Sequence, residues 1–192
     1  ALAVIAPSGP DGEGLAAAAR DYEAATGKTV EVVVAPYDNV LEKVVSACSA
    51  KTGAYDVIQM DDPWFPLLTA NGCLERLSGF FQEAGTDGPD ADFVGKSLAL
   101  CREPYNSGPF FCIPYVGNAQ LFIYNPEMMK EAGYDGPMDR WEDVLTGATA
   151  VTEKGGGRTF GFAMRGVQGH PIADAFLPIF WSFGGQVFDA DG

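Results

Sequence analysis

Three short apolar runs between Ala1 and Met60 each end in a turn cluster and give way to an amphipathic stretch. That alternation constrains the fold more than any other feature of the chain. The runs are Ala1–Ala6, Val30–Ala35 and Tyr55–Met60. The middle one, VEVVVA, is β-branched almost throughout, as suits a strand inside a sheet. Leu15, Ala18, Ala19 and Tyr22 recur on one face of a predicted helix over Gly14–Ala25, which Gly27 stops. Val40, Val44, Val45 and Cys48 line a second helix that runs to about Lys51, with Asp38 or Asn39 as its cap. Pro63 opens a third, closed by Gly72. The order β-α-β-α-β-α predicts an α/β fold: a parallel, doubly wound sheet with right-handed crossovers. The turns PSGPDGEG, PYDN and DDPW then share the edge at the strands' carboxyl ends, where such sheets bind ligands.

Beyond Leu77 the text is less regular. One or two helices are expected before Ser107, then extended runs at Phe111–Tyr115 and Ala119–Asn125. A short helix follows, capped by Asn125 and stopped by Gly133. Another starts near Asp139, RTFGFAMRG reads as a strand, and ADAFLPIFWSFGG reads as a helix ending at Gly184. Gly155–Gly157 is a loop.

With 192 residues, of which 47% are hydrophobic, the chain can bury a real core as one large domain or two small ones. A net charge of -14 leaves no basic stripe for phosphates, so nucleic acid is excluded as a partner. No apolar run reaches bilayer-spanning length. ALAVIAP reads as a first strand rather than an export signal.

Cys48, Cys73, Cys101 and Cys112 form no CxxC pair, and the single His170 does not complete a zinc set, so neither metal nor cofactor is expected. Four cysteines allow three pairings. The reading favours Cys101–Cys112, which would close the loop CREPYNSGPFFC, with Cys48–Cys73 at successive helix ends; four buried thiols are the alternative. Bridged cysteines would mean an oxidising compartment, such as a bacterial periplasm.

The candidate site residues cluster at the predicted turns. Ser8 and Asp11 stand where helix-start N–H groups could donate to ligand oxygens, or where plain capping would use them. Tyr37 offers an apolar face and a hydroxyl, or packs on a neighbouring helix. Of Asp61 and Asp62, one is expected to accept ligand hydroxyls and the other to cap the helix that Pro63 opens. Trp64 is the expected stacking platform, with core packing as its alternative. Tyr115, Gly117 and Asn118 combine an aromatic hydroxyl, a position open to close backbone approach and an amide that donates and accepts. Gln120 and Tyr124 read as structural. Arg165 could grip hydroxyls or a carboxylate, or sit in a surface salt bridge.

Several of these segments, in this order, resemble the bacterial extracellular solute-binding proteins of ABC importers, in particular the maltose-binding-like group for sugars and polyols. They are DYEAATGKTVEV before the PY turn, YDVIQMDDPW leading into ANGCLERLS, IPYVGNAQLFIYNPEMMKEAG before RWEDVL, TFGFAMRG, and FGGQVFDADG. The resemblance implies a periplasmic-binding-protein-like fold with a ligand cleft between two hinged lobes. Residues 1–110 would form lobe one, and 111–192 the crossover strands and part of an incomplete lobe two. Members continue well past FDADG, so the resemblance implies a piece of the fold. It also places the YVGN segment at the cleft border, and Trp181, Gly184 and Gly185 on the second lobe's contact surface.

The function expected is reversible capture of a sugar or polyol and delivery to a membrane permease, without catalysis. The protein is expected to be a monomer in the periplasm or outside the cell, a location compatible with a lipid anchor. Two alternatives are a binding protein for a cationic or chelate solute, to which the acid pair would suit, and a glycoside-active enzyme. The second is disfavoured because consecutive acids tend to point apart and no nucleophile elbow, phosphate loop or HExxH is present.

Overall fold

The structure, a computed structural model, describes residues 1–189; Ala190, Asp191 and Gly192, the end of the FDADG segment, lie outside the described residues. The chain divides into two compact units, Ala1–Gly117 and a second that begins at Asn118.

The first unit is the predicted alternation. Its elements are β1 (Leu2–Pro7), α1 (Pro10–Thr26), β2 (Val30–Ala35), α2 (Tyr37–Ser49), β3 (Val57–Ile58), one 3-10 turn (Asp62–Trp64), α3 (Phe65–Ala70), α4 (Ser78–Glu83) and α5 (Gly95–Leu100). The sheet is parallel in the order β2-β1-β3. β1 pairs along its whole length with β2, Leu2 opposite Val30 through Pro7 opposite Ala35, and sets Val4 and Ile5 opposite Val57 and Ile58. As the central strand it buries Val4, Ile5 and Ala6. Ile5 joins Ala35, Val40, Val44, Trp64 and Leu68 in one core cluster. Each large aliphatic fully buried there contributes about 1.5–3 kcal/mol. Cys48 and Cys73 are disulfide-bonded, with 5.6 Å between their Cα atoms, which ties the end of α2 to the turn after α3.

Boundaries differ from expectation in several places. α2 already begins at Tyr37 and no side chain caps it, so neither Asp38 nor Asn39 serves as its cap. α1 begins at Pro10 rather than Gly14, because proline suits a helix's first turn and Asp11 and Glu13 face its positive end. Gly12 lies so close to the Pro7 carbonyl that a Cβ would collide with it, and the same Cβ would meet Val34 Cγ1 at 3.1 Å. Glycine there lets the helix start rest directly on the strand ends. β3 is shorter than Tyr55–Met60. The Asp56 carboxylate accepts the Ala3 N–H at 2.8 Å, where a longer strand would offer a backbone carbonyl.

The second unit contains α6 (Pro126–Glu131), α7 (Trp141–Lys154) and α8 (His170–Ser182). Asn125 Oδ1 accepts from the N–H groups of Glu127 (3.0 Å) and Met128 (3.1 Å), the cap that the sequence suggested. α6 packs on α7 at Gly147, where a Cβ would stand 2.5 Å from Met129 Cε. α8 starts earlier than Ala173, with Pro171 in its first turn. The expected extended runs at 111–115 and 119–125 and the strand at 158–166 form no strand among the described residues. An extended segment becomes a strand only where a neighbour takes its N–H and C=O groups, and no neighbouring strand is formed there among the described residues.

Candidate functional site

Because the three strands are parallel, Ser8, Tyr37 and Asp61 all follow strand ends on one edge of the first unit. The Ser8 N–H donates to the Ala35 carbonyl at 2.7 Å, which draws the first two turns together. The Tyr37 hydroxyl donates to Asp61 Oδ2 at 2.7 Å. Its ring lies 4.9 Å from Trp64, tilted by 42°. Asp61 Oδ1 accepts the Asp62 N–H at 3.0 Å, so Asp61 is the cap of the turn that Pro63 occupies. Of the two acids, Asp62 is the exposed one and Asp61 the half-buried one.

The start of α1 is organised differently. Gly9, at φ 112, stands at the cap position, and no side chain caps this helix, so neither Ser8 nor Asp11 is used that way. The Asp11 carbonyl instead accepts from the Tyr115 hydroxyl at 3.2 Å, across 104 positions of sequence. Gly14 leaves room for that hydroxyl, since a Cβ there would come within 2.8 Å of it. Tyr115 is otherwise half exposed.

Other expected positions fall elsewhere. Trp64, expected as a stacking platform, is only 7% exposed and belongs to the core cluster; its faces are taken by Tyr37 and the α2–α3 packing. Arg165 is engaged as an ion pair, donating to Asp174 Oδ2 at 2.6 Å on the surface of the second unit. Trp181 is exposed on α8. Gly184 and Gly185 have local duties. Gly184, at φ 79, returns its N–H to the Trp181 carbonyl, and a Cβ on Gly185 would strike the Phe180 ring. Gly117 and Asn118 are exposed at the boundary between the units. The expected Cys101–Cys112 bridge is not formed: both are thiols, the first buried and the second half-buried.

One polar residue escaped the sequence reading. Gln59 Oε1, just beyond β3, is buried without a hydrogen-bond partner among the described residues. Its only sequence signal is an amide between Ile58 and Met60 in an otherwise apolar run. Among the described residues no group of three or more His, Cys, Asp or Glu side chains could hold a metal ion, and no helix is long and apolar enough to cross a membrane.

The parallel α/β arrangement is the fold of periplasmic binding proteins, and solved structures share it. An ABC transporter solute-binding protein from Agrobacterium radiobacter, solved with ribitol, superposes with a TM-score of 0.78 at 23% identity, over 100% of this chain and 47% of its own. The Thermus thermophilus maltotriose-binding protein, solved with maltotriose, gives 0.56 at 24% identity, over 77% of this chain and 36% of its own. The probable amino-acid ABC transporter periplasmic-binding protein y4oP of Sinorhizobium fredii is 26% identical across 100% of this chain and 44% of its own length. The chain thus spans less than half the length of these relatives. It belongs to the family described as bacterial extracellular solute-binding protein, which it matches over residues 6–192.

Proposed function

We propose that this chain forms the solute-capturing part of an ABC importer component. It would bind a sugar or polyol reversibly outside the cytoplasm, as a monomer, and pass it to a membrane permease. The observation that carries the reading is the Tyr37–Asp61 hydrogen bond beside exposed Asp62, at the carboxyl edge of a parallel sheet. A phenol already oriented by one carboxylate, with a second carboxylate next to it, is a rigid acceptor set for hydroxyl groups. Ser8, Asp11 and Tyr115 extend the same edge. Ribitol and maltotriose in the neighbouring structures are hydroxylated solutes of this kind. Asp61 uses one oxygen as a cap and the other for Tyr37, which suits a fixed binding wall better than the pair of opposed carboxylates that glycoside hydrolysis needs. Isothermal titration against a panel of sugars, polyols and oligosaccharides tests the reading: at least one should give a saturable heat. Silence across the panel would overturn the solute class.

A second reading, an amino-acid or a cationic solute, is favoured by the name of the Sinorhizobium relative and by the acid pair itself. Salt separates a cationic solute from a neutral one. Binding of a cationic solute should weaken steeply with salt. A neutral one should show little salt dependence.

A further inference from the structure

The two cysteines outside the Cys48–Cys73 bridge stand at the feet of one hairpin-like loop. Cys101 follows the last turn of α5, and Arg102 and Phe110 form an isolated antiparallel bridge just beyond it. The Phe111 N–H donates to the Cys101 carbonyl at 3.0 Å, and the Glu103 N–H to the Pro109 carbonyl at 3.3 Å. The Arg102 guanidinium donates to the Gly108 carbonyl at 2.7 Å and lies 3.7 Å over the Phe110 ring. Gly108 packs against the Glu103 backbone so tightly that no Cβ would fit. These contacts set the loop without a covalent link, and they place Cys101 and Cys112 near each other at its base, close enough for each thiol to shift the other's titration.

We propose that Cys101 and Cys112 form a second intrachain disulfide, which closes the loop and fixes the root of the segment by which the chain leaves the first unit. The inference stands independently of which solute is bound. Three observations support it. The hairpin contacts set both cysteines at its feet, Cys112 is only half-buried, and the chain belongs to a family of extracellular proteins, where apposed thiols are oxidised. The hydrogen bond from Cys112 holds the Cys101 thiol below its usual range, while the same bond and burial push Cys112 up. The oxidant is a disulfide, either oxidised glutathione or an oxidised dithiol protein. A thiolate of the pair attacks one sulfur of that disulfide and expels the other as a thiol, leaving a mixed disulfide. The second cysteine then displaces the remaining half. One S–S bond forms and one breaks; two protons and two electrons pass to the oxidant, which leaves as two thiols.

Each cysteine lies in its own tryptic peptide, so the pairing can be read directly: Val44–Lys51, Thr52–Arg76, Ser97–Arg102 and Glu103–Lys130. The protein is folded with an oxidised-glutathione buffer, blocked with iodoacetamide and digested without reduction. The expected products are Ser97–Arg102 joined to Glu103–Lys130 and Val44–Lys51 joined to Thr52–Arg76, with no alkylated cysteine. Alkylated Ser97–Arg102 and Glu103–Lys130 would overturn the proposal, as would a link from either to Cys48 or Cys73. The variant Cys112→Ser keeps the test sharp: Cys101 should become the one alkylated cysteine, with the Cys48–Cys73 pair intact. If Cys101 stays blocked in that variant, its partner is not Cys112.

Discussion

The two units treat the same kind of residue in opposite ways. In the first, Ile5 is fully buried because β2 and β3 flank it and α2 and α3 cover it. In the second, Ile123 is 84% exposed in an equally strand-like run, beside Leu121 and Phe122. Side-chain chemistry does not distinguish these positions; the presence of a paired neighbour does. A β-prone sequence is an offer of a ladder, and burial follows only when another strand accepts it. The second unit instead gains its order from helix caps and the α6–α7 contact, with Met129, Val144 and Val151 as its buried apolar residues among those described.

Substitutions can break or sharpen this contrast. The largest effect should come from Leu68→Ala, which empties a fully buried position and should cost about 2–5 kcal/mol. Leu121→Ala, at an exposed position, should stay within about 0.5 kcal/mol. Urea unfolding monitored by far-UV circular dichroism measures both, and equal costs at the two positions would dissolve the contrast. Cys48→Ser should lower the stability of the first unit by about 3 kcal/mol, since it releases a closed loop. Amide exchange should rise in α2 and α3 and stay unchanged in α7. At the candidate site, Asp62→Asn should weaken a hydroxylated solute roughly tenfold to a hundredfold by titration calorimetry, the worth of one charge-assisted hydrogen bond. Tyr37→Phe should cost about 1 kcal/mol of stability, because it removes the bond to Asp61. The smallest effect belongs to Glu142. Its backbone hydrogen bond and then Arg140 hold its carboxyl below the usual range on a fully exposed helix start. A lowered folded-state pKa contributes stability above the ordinary glutamate range and loses it as pH falls through the folded value. Glu142→Gln should therefore differ slightly from the unaltered protein at neutral pH and match it in acid, by thermal melts at both.

Much of the first unit was legible because its signals are local. β-branched runs, a Gly27 stop at φ 70 and a Pro63 start each specify one element, and their alternation specifies the sheet. That one of Asp61 and Asp62 would serve as a cap was legible, but not which of them. Which acid caps depends on where Tyr37 lands, a contact across 24 positions. Trp64 was misread because a tryptophan in a helix's first turn looks accessible, and only its clustering with Ile5, Val40, Val44 and Leu68 buries it. Arg165 meets Asp174 because the long guanidinium stem reaches the first turns of α8, nine positions on, which a strand pattern does not reveal. The runs at 119–125 and 158–166 were read as an extended run and a strand; no strand forms there among the described residues, because a strand-like composition does not supply a partner.

The bond between Tyr115 and Asp11 has a further consequence. It joins the opening turns of the polypeptide to a point just ahead of the Gly117 border. Asp11 lies past the carboxyl end of β1, so the phenol moors the departing stretch of the first unit to the same sheet edge that carries Ser8 and Asp61. Tension on that stretch would be felt first at the start of α1.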